Sequence, residues 1–288
     1  MERPYFSIII PCLNEEKYLP KLLNNLTKQS FSDFEVIVVD GNSSDKTVKE
    51  ANKFKKKLNL KIISTDIRNV SFQRNLGAKN SKADILIFFD ADTKIPKTFL
   101  KKIYQTFENE NPDCVNSWVK TTSKLETDKA IAVGTNALFE LSKFFGIPAS
   151  IGAFIAIKKS VFNKIRGFNQ NLKFAEDSDL TQKVVKHNFN YIILRSTYYY
   201  YSLRRYKKEG TINTLRKSAV LNLNRALNLE KFIKVPEYKM GGQVFDTKDK
   251  NSLLWINKTF ENIKTNYNKD KIKGNKFFTS LLKELKTK

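Results

Sequence analysis

The sequence is poor in the residues that build metal centres and covalent frameworks. It holds one histidine, His187, in 288 residues, which excludes a histidine-rich metal site. Its two cysteines, Cys12 and Cys114, form no Cys-x-x-Cys pair. That leaves no ligand set for structural zinc and no disulfide framework, and it fits a reducing, cytoplasmic interior. The longest unbroken stretch of apolar or small residues, Ile147–Ile157, is well short of the roughly 20 residues that a transmembrane helix needs. The opening MERPYFSIIIP reads as the approach to a strand and has no signal-peptide pattern, and no internal repeat is visible.

Negative charge is also scarce. Lys and Arg number 52 against 29 Asp and Glu, a net +23. The excess is uneven: residues 201–288 carry 21 basic and 8 acidic side chains. Such a chain attracts nucleotides, nucleic acid or an anionic membrane surface. Nucleic acid is the weakest of these. The basic residues are spread out, no nucleic-acid module is present, and the acidic motifs below would repel a phosphate backbone. With 41% apolar and 12% aromatic residues the composition is globular, and the length suits one large domain or a domain with an appendage.

The first half alternates strand and helix. Phe6–Ile10 reads as a strand stopped by Pro11, and Glu15–Gln29 as a helix with its leucines on one face. Phe34–Val39, Leu60–Ile63 and Ile85–Phe89 read as strands. Asp45–Leu58, Ser71–Asn80 and a segment opened by Pro96 read as helices. Strands alternating with helices imply a mostly parallel sheet, with ligands beyond its carboxyl edge. Further on, Cys114–Val119, Ile151–Ile157, Tyr191–Leu194 and Tyr198–Tyr201 read as strands, and Asp128–Phe145 and Asp177–Lys186 as helices. The apolar residues of 128–157 (Ile131, Leu138, Leu141, Phe144, Phe145, Ile147 and Phe154) are expected to be core, the competing reading being an apolar lip near a bilayer. Beyond about residue 203 the pattern turns helical and basic, with 235–251 as the best linker.

Polar residues gather just after the strands. Asp90-Ala91-Asp92 follows the fourth, where two alternating carboxylates can converge on a hard cation such as Mg²⁺ or Mn²⁺. A lone Asp-x-Asp is more often a solvated turn. VIVVDGNSSDKT, residues 36–47, places Asp40 at a strand end, where it can contact a base or ribose, and leads into a helix N-terminus that favours anions; a plain capped turn reads equally well. Arg74 can stack on or hydrogen-bond a base or diphosphate, or lie on the surface. Glu176, Asp177 and Asp179 suit a helix start, and one of them suits a general base. Arg204 and Arg205 can clamp a diphosphate or form a solvated basic face. His187 fits a C-terminal cap of its helix better than a catalytic group.

Taken in order, SIIIPCLNEEKYL, VIVVDGNSSDKT, RNLGAKNSKADILIFFDADT and GFNQNLKFAEDSDL resemble the family 2 inverting glycosyltransferases of GT-A fold over roughly residues 5–205. The resemblance implies a catalytic domain over 1–205, followed by a basic helical extension over 206–288. It implies that Pro11, Asn14 and Glu15 line a nucleotide pocket, that Asp40 contacts the base with Arg74 nearby, and that Asp90 faces the ribose or sugar. Asp92 would ligate Mn²⁺ or Mg²⁺, and Asp177 would be the catalytic base, with Glu176 beside it. The family often carries a histidine after this helix that helps bind diphosphate. Here the region reads YYYYSLRRY, and Arg204 or Arg205 would substitute. The implied partners are a nucleotide-diphosphate sugar and a saccharide or lipid-linked acceptor. A polyprenyl phosphate is the alternative acceptor, and peripheral contact with an anionic cytoplasmic membrane face a further expectation. A non-catalytic sugar-nucleotide binding protein is the reading of another class, and the intact Asp-x-Asp and Glu-Asp pairs argue against it.

Overall fold

The computed structural model describes residues 3–172, 175–200 and 202. The expected C-terminal helices, the 205/206 boundary, the linker, Arg204 and Arg205 lie outside the described residues.

Seven strands form one mixed sheet: β1 (Phe6–Cys12), β2 (Phe34–Asp40), β3 (Leu60–Ser64), β4 (Ile85–Phe89), β5 (Cys114–Lys120), β6 (Phe154–Lys158) and β7 (Tyr191–Tyr200). Their spatial order is β3-β2-β1-β4-β6-β5-β7. β6 runs antiparallel to both its neighbours, and the other pairings are parallel. The described helices are α1 (Leu19–Leu26), α2 (Thr47–Asn52), α3 (Val70–Lys79), α4 (Phe99–Glu110), α5 (Glu126–Phe144), α6 (Lys159–Lys164) and α7 (Glu176–Lys186). None is long and apolar enough to cross a membrane.

Alternation along the strands divides the core between two faces. Ile8, Ile10, Val36, Val38, Ile87 and Phe89 pack with the leucines of α1 and with Phe99, Leu100 and Ile103 of α4. Ile9, Ile37, Val39, Leu86 and Phe88 pack on the other face with Phe162 of α6 and Leu180 and Val184 of α7. β1, β2 and β4 are buried along their whole length, which is why they read as unbroken apolar runs.

Four local expectations change. β1 continues through Pro11, because its pairing with β4 ends at Ile9 and that flank has no ladder for a proline to break. Tyr191–Leu194 and Tyr198–Tyr200 belong to one strand: the pairing skips from Leu194 opposite Ser117 to Tyr198 opposite Trp118. The three residues between bulge out, and Arg195 reaches Glu140 with two bonds of 2.8 Å. The short helix α6 was not expected.

The fourth change concerns α5. Its inward face mixes polar and apolar groups: Ala132 and Phe139 are buried in the core, Asn136 bonds both the backbone N–H (2.8 Å) and carbonyl (3.0 Å) of Val119, and Glu140 accepts the Trp118 indole N–H at 2.9 Å. A second set of apolar residues points outward. Leu138, Leu141, Phe144, Phe145 and Ile147 are 42–82% exposed, so they are not core. Ile131 is half-buried and Phe154, on β6, is fully buried.

Two helical glycines should respond to the same substitution with opposite signs. A Cβ at Gly77 would lie 2.4 Å from Ile9 Cγ2, and one at Gly134 would meet nothing within 4 Å. Gly77→Ala is expected to destabilise by about 1–3 kcal/mol through overpacking. Gly134→Ala should stabilise by about 0.5–1 kcal/mol through helix propensity. Urea denaturation of both variants checks this, and equal signs would contradict the packing described.

Candidate active site

The site lies at the carboxyl ends of β1, β2 and β4. Sheet topology assembles it. Because β6 runs antiparallel, with Phe154 opposite Phe89, the residues entering it (Ser150–Ala153) meet the end of β4 where Asp90 stands. Helix α3 lies against β1 and β2 and turns Gln73 and Arg74 inward.

Arg74 is buried and central. Its Nη2 donates to Asp90 Oδ1 at 2.7 Å and to the Gly152 carbonyl at 3.2 Å, and its Nη1 donates to Glu176 Oε1 at 2.8 Å. The guanidinium lies 5.0 Å from the Phe168 ring centre. Burial alone would lower its pKa, but Asp90, Glu176 and Asp177 outweigh that and raise it. Arg74 therefore binds protein carboxylates, which fixes the orientation of the strand end and of the start of α7.

The acidic residues around it differ in setting. Burial raises the Asp90 pKa, Arg74 opposes, and Asp92 and Glu176 add to the rise. The Asp90 side chain is 38% exposed, so solvent limits this effect. Asp177, on the first turn of α7, is pushed up to about 7 by burial and by Glu176, against the pull of Arg74 and of the Ser178 N–H. Ala175, immediately before this turn, has φ +55°, a left-handed conformation that strains an L-residue with a side chain. Ser178 locks the turn in place: its hydroxyl accepts from Ser150 N–H (3.1 Å) and donates to Ser150 O (3.2 Å). The Tyr199 hydroxyl is buried close enough for Asp177 and Asp90 to raise its pKa further, after burial itself.

The expected nucleotide loop is a second, separate network. Asp40 accepts from Ser43 N–H (2.9 Å) and Ser43 Oγ–H (2.5 Å), and its Oδ1 faces the Cys12 thiol at 3.5 Å. Asn14, left-handed at φ +53°, donates its N–H to Ser43 Oγ and accepts from Ser44 N–H, both at 2.8 Å. The Glu15 N–H donates to Thr47 Oγ1 at 2.7 Å. Pro11 is buried at the end of β1 just before this loop. Asp66 and Arg68, after β3, brace the turn at Asn42 and Gly41. His187 caps α7, its Nδ1 lying 2.8 Å from the Lys183 carbonyl.

The sequence reading missed several positioning residues. Gln73 donates its amide to the carbonyls of Cys12 and Val39, both at 2.9 Å, tying β1 to β2. Asn75 pairs with both backbone groups of Phe168. Gly152 leaves room for Arg74, since a Cβ there would lie 2.4 Å from Nη2. The run Gln73-Arg74-Asn75 was the available signal, as a helix pressed on a sheet buries such groups only against partners.

Asp90, Glu176 and Asp177 share one cation, Arg74, and Asp92 adds negative charge beside Asp90. Hard carboxylate oxygens with surplus negative charge suit Mg²⁺ or Mn²⁺. Among the described residues no group of three or more His, Cys, Asp or Glu converges on one point, so diphosphate and water would have to complete the coordination.

Residues 7–166 match the model of glycosyl transferase family 2. The chain is 30% identical over 213 residues to the poly(ribitol-phosphate) beta-N-acetylglucosaminyltransferase TarS of Staphylococcus aureus, covering 69% of this chain and 36% of TarS. The chain thus spans about a third of that relative. It is 37% identical over 116 residues, 38% of this chain and 36% of the relative, to a dolichyl N-acetyl-alpha-D-glucosaminyl phosphate 3-beta-D-2,3-diacetamido-2,3-dideoxy-beta-D-glucuronosyltransferase of Methanococcus voltae. A structure of S. aureus TarS with UDP-GlcNAc aligns with TM-score 0.58 and 27% identity, covering 68% of this chain and 58% of that one. The mannosyltransferase PcManGT of Pyrobaculum calidifontis, solved with GDP-Man and Mn²⁺, aligns with TM-score 0.63 at 19% identity, over 82% and 67% of the two chains. The fold is GT-A, as the resemblance implied.

Removing Arg74 should expose the charge balance of the cluster. Arg74→Met is expected to destabilise by about 2–4 kcal/mol at neutral pH, because it leaves Glu176 and the partly exposed Asp90 without their common cation. The deficit should narrow towards about pH 5, as the uncompensated carboxylates take up protons more readily folded than unfolded. Denaturation at both pH values checks this; a deficit independent of pH would assign Arg74 a packing role alone.

Proposed function

The chain belongs to glycosyl transferase family 2, and from that premise we propose that it moves a sugar from a nucleotide-diphosphate donor to an acceptor hydroxyl with inversion. The setting is the synthesis of a cell-surface polysaccharide, glycolipid or glycoprotein. The observation that carries this reading is Asp177, held beside the Arg74–Asp90 pair with a pKa raised to about 7.

The nucleotide would lie along the loop formed by Pro11, Asn14, Glu15 and Asp40, with Asp90 towards the ribose or sugar. Asp40 already holds the turn with its Ser43 bonds, so its contact with the base would use its remaining lone pairs. Mg²⁺ or Mn²⁺ held at Asp92 would supply neutralising charge for a departing diphosphate. Asp177 takes the proton from the acceptor hydroxyl as its oxygen attacks the anomeric carbon; the bond to the diphosphate breaks on the opposite face. A carboxylate near neutrality is a stronger base than an ordinary aspartate and is still largely ionised above pH 7. TarS with UDP-GlcNAc favours a UDP-sugar as donor. A polyprenyl-phosphate acceptor is the second reading, favoured by the outward apolar face of α5. Such an acceptor is already ionised and would need no base, and Asp177 would then matter less.

Asp177→Asn should lower transfer to a hydroxyl acceptor by about 10²–10⁴-fold while donor affinity is kept. Wild-type transfer should rise with pH through about 7, as Asp177 loses its proton. Unchanged transfer by the variant would remove the base role, and transfer that survives complete chelation by EDTA would remove the metal role of Asp92.

The same shift has a stability counterpart. A carboxyl with a folded pKa near 7 and an unfolded pKa near 3.9 is disfavoured in its ionised form by folding. The penalty is absent below the unfolded value and complete above the folded one. Asp177→Asn should therefore raise stability by about 1–2 kcal/mol at pH 8 and by little near pH 4. Thermal denaturation at the two pH values measures it; a loss of stability at pH 8 would contradict the shift.

A further inference from the structure

The outward face of α5 has no place in the chemistry above. Val133, Leu138, Leu141, Phe144, Phe145 and Ile147 are all exposed, Phe144 to 82%. Leu138, Leu141 and Phe144 recur every three residues, and Val133 lies eight before Leu141. The helix is anchored from its opposite side, through Asn136 to the Val119 backbone, Glu140 to Trp118 and Arg195, and the buried Phe139, so the exposed apolar residues cannot roll inward without breaking those contacts.

We propose that this face seats on an anionic lipid bilayer, with α5 lying flat in the interface. Three observations select that occupant. The helix has 19 residues and does not qualify to span a membrane, so it would bind along its side. The chain carries +23, +10 of it in residues 1–200 and +13 in residues 201–288, and this excess attracts an anionic leaflet and opposes a second copy of the same chain. The strands beside α5 end in cation–aromatic pairs, with Lys120 Nζ 3.9 Å from the Tyr198 ring centre and Lys94 Nζ 5.3 Å from that of Tyr200. Lysine stems and tyrosines of this kind suit the boundary between headgroups and acyl chains.

The face is also coupled to the cleft. The segment after α5 is stitched to α7, with the Thr181 hydroxyl donating to Pro148 O at 3.1 Å and Ser150 paired with Ser178, next to Asp177. Docking would hold the cleft at the bilayer surface, where a lipid-linked acceptor presents its sugar. This acceptor class rests on the transferase reading; the bilayer contact does not.

The test uses the full chain with vesicles of phosphatidylcholine alone or with phosphatidylglycerol. Wild type should co-sediment with the anionic vesicles, and Phe144→Ser/Phe145→Ser should reduce partitioning by roughly tenfold or more without changing the melting temperature or donor hydrolysis. Hydroxyl-radical footprinting should oxidise Phe144 and Phe145 in the free protein and show their protection by vesicles. Absent sedimentation, equal binding by the double variant, or protection without vesicles would each overturn the proposal, the last because another copy or another part of the chain then covers the face. Donor hydrolysis by wild type reports separately: vesicle binding without it would sink the transferase reading and leave the docking face standing.

Discussion

The buried guanidinium of Arg74 is the constraint on which the site depends. Three pieces distant in sequence meet on it: the end of β4 through Asp90, the approach to β6 through Gly152, and the start of α7 through Glu176. A lysine could supply the charge but not the planar set of directed donors. Because these contacts are made within the protein, the orientation of Asp90 and Glu176 is set by the fold itself.

The electrostatics work on two scales. Over the whole chain the excess of lysine and arginine draws anions in. At the site the sign reverses, with the carboxylates of Asp90, Glu176 and Asp177 around one guanidinium and Asp92 beside Asp90. On the proposed reading, a diphosphate arriving there would meet repulsion unless a cation accompanied it. The shifted Asp177 belongs to the same crowding: burial and the charge of Glu176 hold its proton.

Most of the sheet was legible because its central strands are buried on both faces and read as apolar runs. The acidic motifs were legible by position, after strands whose carboxyl ends face the ligand side. Roles were harder to read than places. Arg74 was readable as a site residue, but not as the internal partner of Asp90 and Glu176, since nothing local announces contacts 16 and 102 residues apart. Gly152 carries no signal without that arginine in view. The outward residues of α5 were misread for a different reason: the helix is apolar on two sides, and Phe139 with the polar bonds to β5 decides which side faces in. Pro11 and the bulged β7 failed as boundaries because pairing partners, absent from a local window, determine where a strand ends.

Gly152 has a consequence at the level of sequence drift. A Cβ at this position would collide with Arg74 Nη2, so the two residues are not free to vary independently. While position 74 holds arginine, a side chain at 152 would have to displace the guanidinium from its bonds to Asp90 and the Gly152 carbonyl. A shorter side chain at 74 would lift that restriction but leave Asp90 and Glu176 without their common partner. Change at 152 is therefore tied to change at 74, and change at 74 to change at the carboxylates.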